Sequence, residues 1–189
     1  FLFKKNTSVY HGKKGEENGI FSLFGGNSQG TVLDREKSDE NKKRMREIFD
    51  AKVDNGSQYH IVYAYSEDIR GANFAVLRTV SYQYRSFILG YRDSDLSLVL
   101  LEISPDLQQS GDALCYRAQD MKKTNFNKMV NSYYLQYGSA FKKEFFHIFV
   151  PKTIDDILNL DWYDEEMFPY IDQREEHSGW TAFWNQFCQ

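Results

Sequence analysis

The chain has 189 residues, 41% of them hydrophobic and 26% charged, with a formal net charge of −4. That is the composition of an ordinary globular protein, with room for one substantial core but hardly for two full domains. No run of about 18 apolar residues is present, which excludes a helical membrane span. The acidic balance speaks against a protein that neutralises many phosphates over its whole surface, though not against a local basic patch. Aromatic residues make up 16% of the chain, and their preference for strands tilts the expectation toward a β-rich fold. Two cysteines, Cys115 and Cys188, are too few for a disulfide framework and fit a reducing compartment. With no visible signal peptide at Phe1–Asn6, the expected location is cytoplasmic.

Taken in order, residues 1–30 read as a flexible glycine-rich N-terminal arm. Gly12, Gly15, Gly19, Gly25, Gly26 and Gly30 interrupt it, and polar glycine-rich stretches resist regular structure. A short strand is expected near Ser8-Val9-Tyr10, and Ile20 to Phe24 would anchor the arm. Residues 31–189 read as a single α+β domain. It starts with a helix over Asp34 to Lys52, acidic at its beginning and basic toward its end, as the helix dipole favours. Met45, Ile48, Phe49 and Lys52 share one face of it, while its first half has no apolar face and should be solvated. Asp54-Asn55-Gly56 makes a turn.

Strands follow. Tyr59 to Tyr65 alternates, and so does Phe74 to Tyr82. Tyr84 to Tyr91 and Leu96 to Ile103 form a hairpin around Asp93-Ser94-Asp95. Its second run is apolar on both faces, which places it in the middle of a covered sheet. Further strands are expected around Leu114–Ala118, Tyr133–Tyr137 and Phe146–Val150, the last ended by Pro151. A short helix at Thr153–Leu158 and an acidic stretch broken by Pro169 lead to a final helix over Gly179 to Phe187. There Trp180, Phe183, Trp184 and Phe187 fall at i, i+3, i+4, i+7, one stripe made wholly of aromatics. Such a stripe either packs on its own sheet or docks in a groove of a partner or second copy.

Strands in consecutive runs rather than alternating with helices give an α+β fold. The expected architecture is a curved antiparallel sheet or roll of six to seven strands, with an early helix and a C-terminal aromatic helix. In the order of its elements it resembles pleckstrin-homology-like rolls.

The candidate chemistries are sparse. Phe24-Gly25-Gly26-Asn27-Ser28-Gln29-Gly30 lacks the lysine that a phosphate loop needs, and Gly12-Lys13-Lys14 lacks the hydroxyl. His11, His60, His147 and His177 are scattered, so a zinc site would require His60 and His147 to be neighbours across the sheet. Cys115 could pair with His147 as nucleophile and base, but its apolar neighbours suggest a buried side chain. Glu102 and Asp106 bracket a strand end, where Asp106 after Pro105 is more simply a turn residue. These four, Glu102, Asp106, Cys115 and His147, are the residues of an alternative reading as an enzyme with a dispersed active site.

Two charged stretches remain. From Arg117 to Lys152 seven basic residues face two acids, with aromatics interleaved. That pattern suits single-stranded nucleic acid or anionic headgroups, or else lysines that protect strand edges over a buried aromatic core. From Asp155 to Glu176 nine acids face Arg174 alone, a neighbour for the basic stretch or for a cationic partner. The first expectation is therefore a non-enzymatic binding or adaptor module for a protein partner or for self-association. The alternative is anionic-ligand binding through residues 117–152. The candidate binding residues are Lys122, Lys123, Lys142, Lys143, Trp180 and Trp184, and no cofactor or metal is expected.

Overall fold

The computed structural model of the chain describes residues 8–9, 34–74, 77–138, 143–158 and 167–188. Helix α1, Arg35–Lys52, starts where the Asp34 carboxylate accepts a hydrogen bond from the Lys37 amide at 3.0 Å. Only its second half has an apolar face, and there Met45 and Phe49 are buried. The first half is nevertheless docked, by polar contacts that carry no hydrophobic period. Buried Ser38 accepts from the Asp172 amide at 2.8 Å, and the Asn41 side chain donates to the Tyr170 carbonyl at 2.9 Å.

The strands are β1 (Ser8–Val9), β2 (His60–Phe74), β3 (Leu77–Arg92), β4 (Ser97–Ile103), β5 (Ser110–Arg117), β6 (Met121–Asn127), β7 (Ser132–Gly138) and β8 (Lys143–Phe149). Seven of them run antiparallel in the order β5-β4-β3-β2-β8-β7-β6, and β1 pairs with β3 at Ser8↔Tyr82 and Val9↔Ser81. Two meanders, β2 to β5 and β6 to β8, are thus joined through β2 and β8, which share the single register pair Tyr65↔Phe149. The expected curved antiparallel sheet, early helix and C-terminal helix are all present, and the sheet does not close.

The membership of the sheet differs from the sequence expectation in two places. The expected run Phe74–Tyr82 is split: Phe74 ends β2, while Leu77–Tyr82 continues into Tyr84–Tyr91 as one strand, β3, paired with β2 from Leu77 to Tyr91. The sequence does not mark strand β6, because four of its seven residues are polar and exposed. The central position of the Leu96–Ile103 run holds: β4 lies between β3 and β5, with all but one of its residues buried.

Both faces of the sheet are covered where these apolar residues lie. On the concave face sits α3, Arg174–Phe187, five residues longer at its start than the aromatic run predicts. Trp180, Phe183, Trp184 and Phe187 are all buried there. Trp180 meets the rings of Tyr91 on β3 and Tyr133 on β7, at 5.7 and 5.3 Å between centroids. The sheet curls far enough around the helix for Tyr116 on β5 to reach Tyr137 on β7, five strands along the order, at 4.6 Å. The convex face carries α1, the short helix α2 (Asp155–Leu158) and Phe168 and Ile171. No helix among the described residues is long and apolar enough to cross a membrane.

Where β8 diverges from β2, one side chain takes the place of a strand. Gln173 is buried, its carbonyl oxygen accepts from the Tyr63 amide at 2.7 Å, and its amide nitrogen donates to the Tyr63 carbonyl at 2.9 Å and to the Pro151 carbonyl. Backbone groups at this gap would otherwise be buried without partners.

Candidate binding face on β6, β7 and β8

Residues along a strand point alternately to the two sides of a sheet. On the second meander one set, including Tyr133, Leu135, Phe146 and Ile148, joins the concave core around α3. The other set must face outward, and the register arranges it in three rungs. Lys123, Gln136 and Phe145 stand opposite one another, then Asn125, Tyr134 and His147, then Asn127, Ser132 and Phe149. Only the last rung is tied to the convex core, where Phe149 stacks on Tyr65 at 5.0 Å.

The other two rungs are open. Phe145 is 61% exposed, and Lys123, Asn125 and His147 are exposed too. Tyr134 lies half-buried beside Phe145, with ring centroids 6.4 Å apart and planes 25° from parallel. His147 Nε2 is 2.6 Å from the Ser132 hydroxyl, which fixes the imidazole against the sheet. The result is an exposed surface of two aromatic rings, an imidazole, two side-chain amides and a lysine. At its rim the β6–β7 turn exposes Lys128, Met129 and Val130, with Met129 95% accessible.

The predicted binding residues divide between this surface and the core. Lys122 and Lys123 are exposed on β6, and neither makes an ion pair with another described residue. The backbone of Lys143 pairs with Gly138 at the end of β8, and Lys142 lies outside the described residues. Trp180 and Trp184 are inside the concave core, so of the two outcomes open to the aromatic stripe the chain adopts packing on its own sheet. The acidic tail does not neutralise the lysines of β6 among the described residues. Glu176 instead pairs with Lys42 on α1 at 2.7 Å, and Asp172 with Arg174 at 2.6 Å.

The four residues of the enzyme alternative are not brought together. Glu102 faces the open end of the concave side and is held by both arms of the Arg85 guanidinium, at 2.9 and 2.7 Å. Asp106 is the turn residue its sequence suggests: it accepts from the Ser104 hydroxyl and the Gln108 amide, and these hold its carboxyl below the usual range. Cys115 is on edge strand β5, while His147 is on β8, four strands along the sheet order. The expected burial of Cys115 is corrected: the residue is exposed. It faces away from Leu114 and Tyr116, on an edge strand that no other described strand pairs with on its far side. His60 pairs with Tyr91 and is not a neighbour of His147, and no group of three metal-ligating side chains occurs among the described residues.

Sequence reasoning missed Phe145, Gln136 and Asn125. The signal was the alternation on β8, where Phe146, Ile148 and Val150 account for the core and leave Phe145, His147 and Phe149 for the other face. Comparison with protein-family models, with curated proteins and with solved structures finds no match to this chain.

Proposed function

We propose that this chain is a non-enzymatic binding module that takes a polyanionic ligand on the outer face of β6, β7 and β8. The observation that supports it best is the open face itself, with Phe145 at 61% exposure beside lysines that have no described partner. Charge distribution supports the same reading. Residues 117–149 hold six basic and two acidic side chains, a surplus of +4, so the remainder of a chain of net −4 carries −8. A separation of that size gives one end of the molecule a field that attracts anions even though the whole is acidic.

Heparin chromatography at neutral pH tests it. A protein of net charge −4 has no reason to be retained by a polyanion unless a basic patch makes the contact. Retention at low salt, release by added salt, and loss of retention in Lys122→Glu/Lys123→Glu are the expected results. Passage through the column unretained at the lowest salt overturns the proposal. A protein partner at the β6–β7 turn is the second reading, favoured by exposed Met129 and Val130, because methionine and apolar anchors are enriched at protein interfaces.

A further inference from the structure

We infer that the ligand of this face is single-stranded nucleic acid, whose bases stack on Phe145 and Tyr134 while its phosphates meet Lys122, Lys123 and Lys128. The inference rests on the polyanion reading above and deepens it. One exposed phenylalanine is ordinary on a protein surface; the arrangement around this one is not. Phe145 and Tyr134 sit on adjacent strands with nearly parallel rings, 6.4 Å between centroids and 25° between planes. Both belong to the regular part of the β7–β8 ladder, so the backbone holds them in place before any ligand arrives. Every base has a π-face, and stacking on such rings tolerates any sequence.

The groups around the rings fit the same ligand. Gln136 and Asn125 stand on the rungs of Phe145 and Tyr134 and offer amide donors and acceptors to unpaired base edges. Neither a lipid headgroup nor a sulfated sugar has an aromatic π-face to stack on two rings. A duplex keeps its base faces stacked on one another, so an open sheet face cannot reach them. Lys123 on β6, Lys122 beside it and Lys128 at the turn are all exposed along one border of the platform, where a backbone that leaves its bases on the rings would run.

Fluorescence anisotropy with the full chain tests this. The probes are labelled single strands of about ten thymidines or uridines, the same length of abasic deoxyribose-phosphate, a duplex, and vesicles with anionic headgroups. The single strands should bind, with the abasic strand and the duplex at least tenfold weaker, and the comparison of thymidine with uridine strands separates DNA from RNA. Phe145→Ala should weaken single-strand binding about tenfold, the scale of one lost base–aromatic stack. Its melting temperature should not change, because the side chain is exposed. Lys123→Ala should reduce the salt slope by about 0.7, the value for one phosphate contact on a single strand. Equal binding of abasic and base-bearing strands, or unchanged binding by Phe145→Ala, overturns the stacking inference and leaves the polyanion reading intact. Binding to vesicles with none to single strands also overturns it. No binding to any anionic probe at low salt overturns both.

Discussion

Gly90 shows how far one residue determines the packing of this fold. It lies in the middle of β3, between Ile61 on β2 and Val99 on β4, and the Phe49 ring of α1 rests directly on its backbone. A Cβ added at Gly90 would stand 2.6 Å from Phe49 Cε2, closer than real contacts allow. Phe49 is fully buried and cannot swing away. Gly90→Ala is therefore expected to cost at least the roughly 1–3 kcal/mol of an overpacked core. Gly111→Ala, whose added Cβ would meet Glu102 Cβ at an ordinary 3.7 Å, should stay within about 0.5 kcal/mol. Phe49→Ala alone should cost about 3–5 kcal/mol. In the double variant Gly90→Ala/Phe49→Ala the new methyl enters the vacated space, so the two costs must fall short of their sum. Urea denaturation of the four proteins measures this, and strict additivity would refute the contact. None of it was legible beforehand. A glycine in a strand signals close approach of something, but the sequence does not say what approaches. Cys115 failed for the related reason that edge position is a property of the sheet, not of the residue's neighbours in the chain.

At the scale of elements, periodic apolar residues were legible and polar connections were not. The α1 face and the α3 stripe repeat at the helical period and the β4 run is apolar on both faces; Met45 and Phe49, the four aromatics of α3 and all but one residue of β4 are buried. Strand β6 and the first half of α1 lack such a period. Their places are set by register and by hydrogen bonds to Tyr170 and Asp172, partners more than 120 residues away. The Gln173 bridge between β2 and the end of β8 belongs to the same class, since its amide satisfies three backbone groups that no strand reaches. Gln173→Ala would strand the Tyr63 amide and carbonyl and the Pro151 carbonyl in a buried site. With about 1–3 kcal/mol for each buried group left unpaired, a loss of several kcal/mol is expected, reduced by whatever water enters the gap. Gln173→Glu should recover little, because a carboxylate keeps the acceptor for Tyr63 but loses both donated bonds. Thermal melts of the two variants check this, and a Gln173→Ala protein as stable as the parent would show that β2 and β8 are held without the bridge.

For the whole molecule, the large aromatic content makes stability depend on alkaline pH. The curled sheet has a core on each face, and each contains a tyrosine buried with its hydroxyl neutral. Tyr65 lies in the convex core and Tyr91 in the concave core beneath α3. Burial first, then the negative charge of Glu67 and Asp156 for Tyr65 and of Asp93 and Glu176 for Tyr91, pushes both phenols up to about 12 from an ordinary 10.0. Tyr133 is raised in the same direction by burial. The sign follows from proton linkage. Above pH about 10 the unfolded chain loses these protons while the folded chain keeps them, so the unfolded state is favoured as pH rises. The contribution is complete below the unfolded value and is lost progressively as pH climbs from about 10 through about 12. Because the two tyrosines sit on opposite faces of one sheet, ionising either removes support from a layer that the other layer needs. The melting temperature should therefore be level through neutral pH and fall steeply above pH about 10. Tyrosinate absorbance should rise in two stages, exposed phenols first, then Tyr65, Tyr91 and Tyr133 together with the loss of ellipticity. Replacing Tyr91 by Phe removes one of these protons and relieves part of the alkaline loss. If all tyrosines titrate in a single step near pH 10 with the fold intact, the phenols of both cores are open to solvent and the two-layer packing described above is wrong.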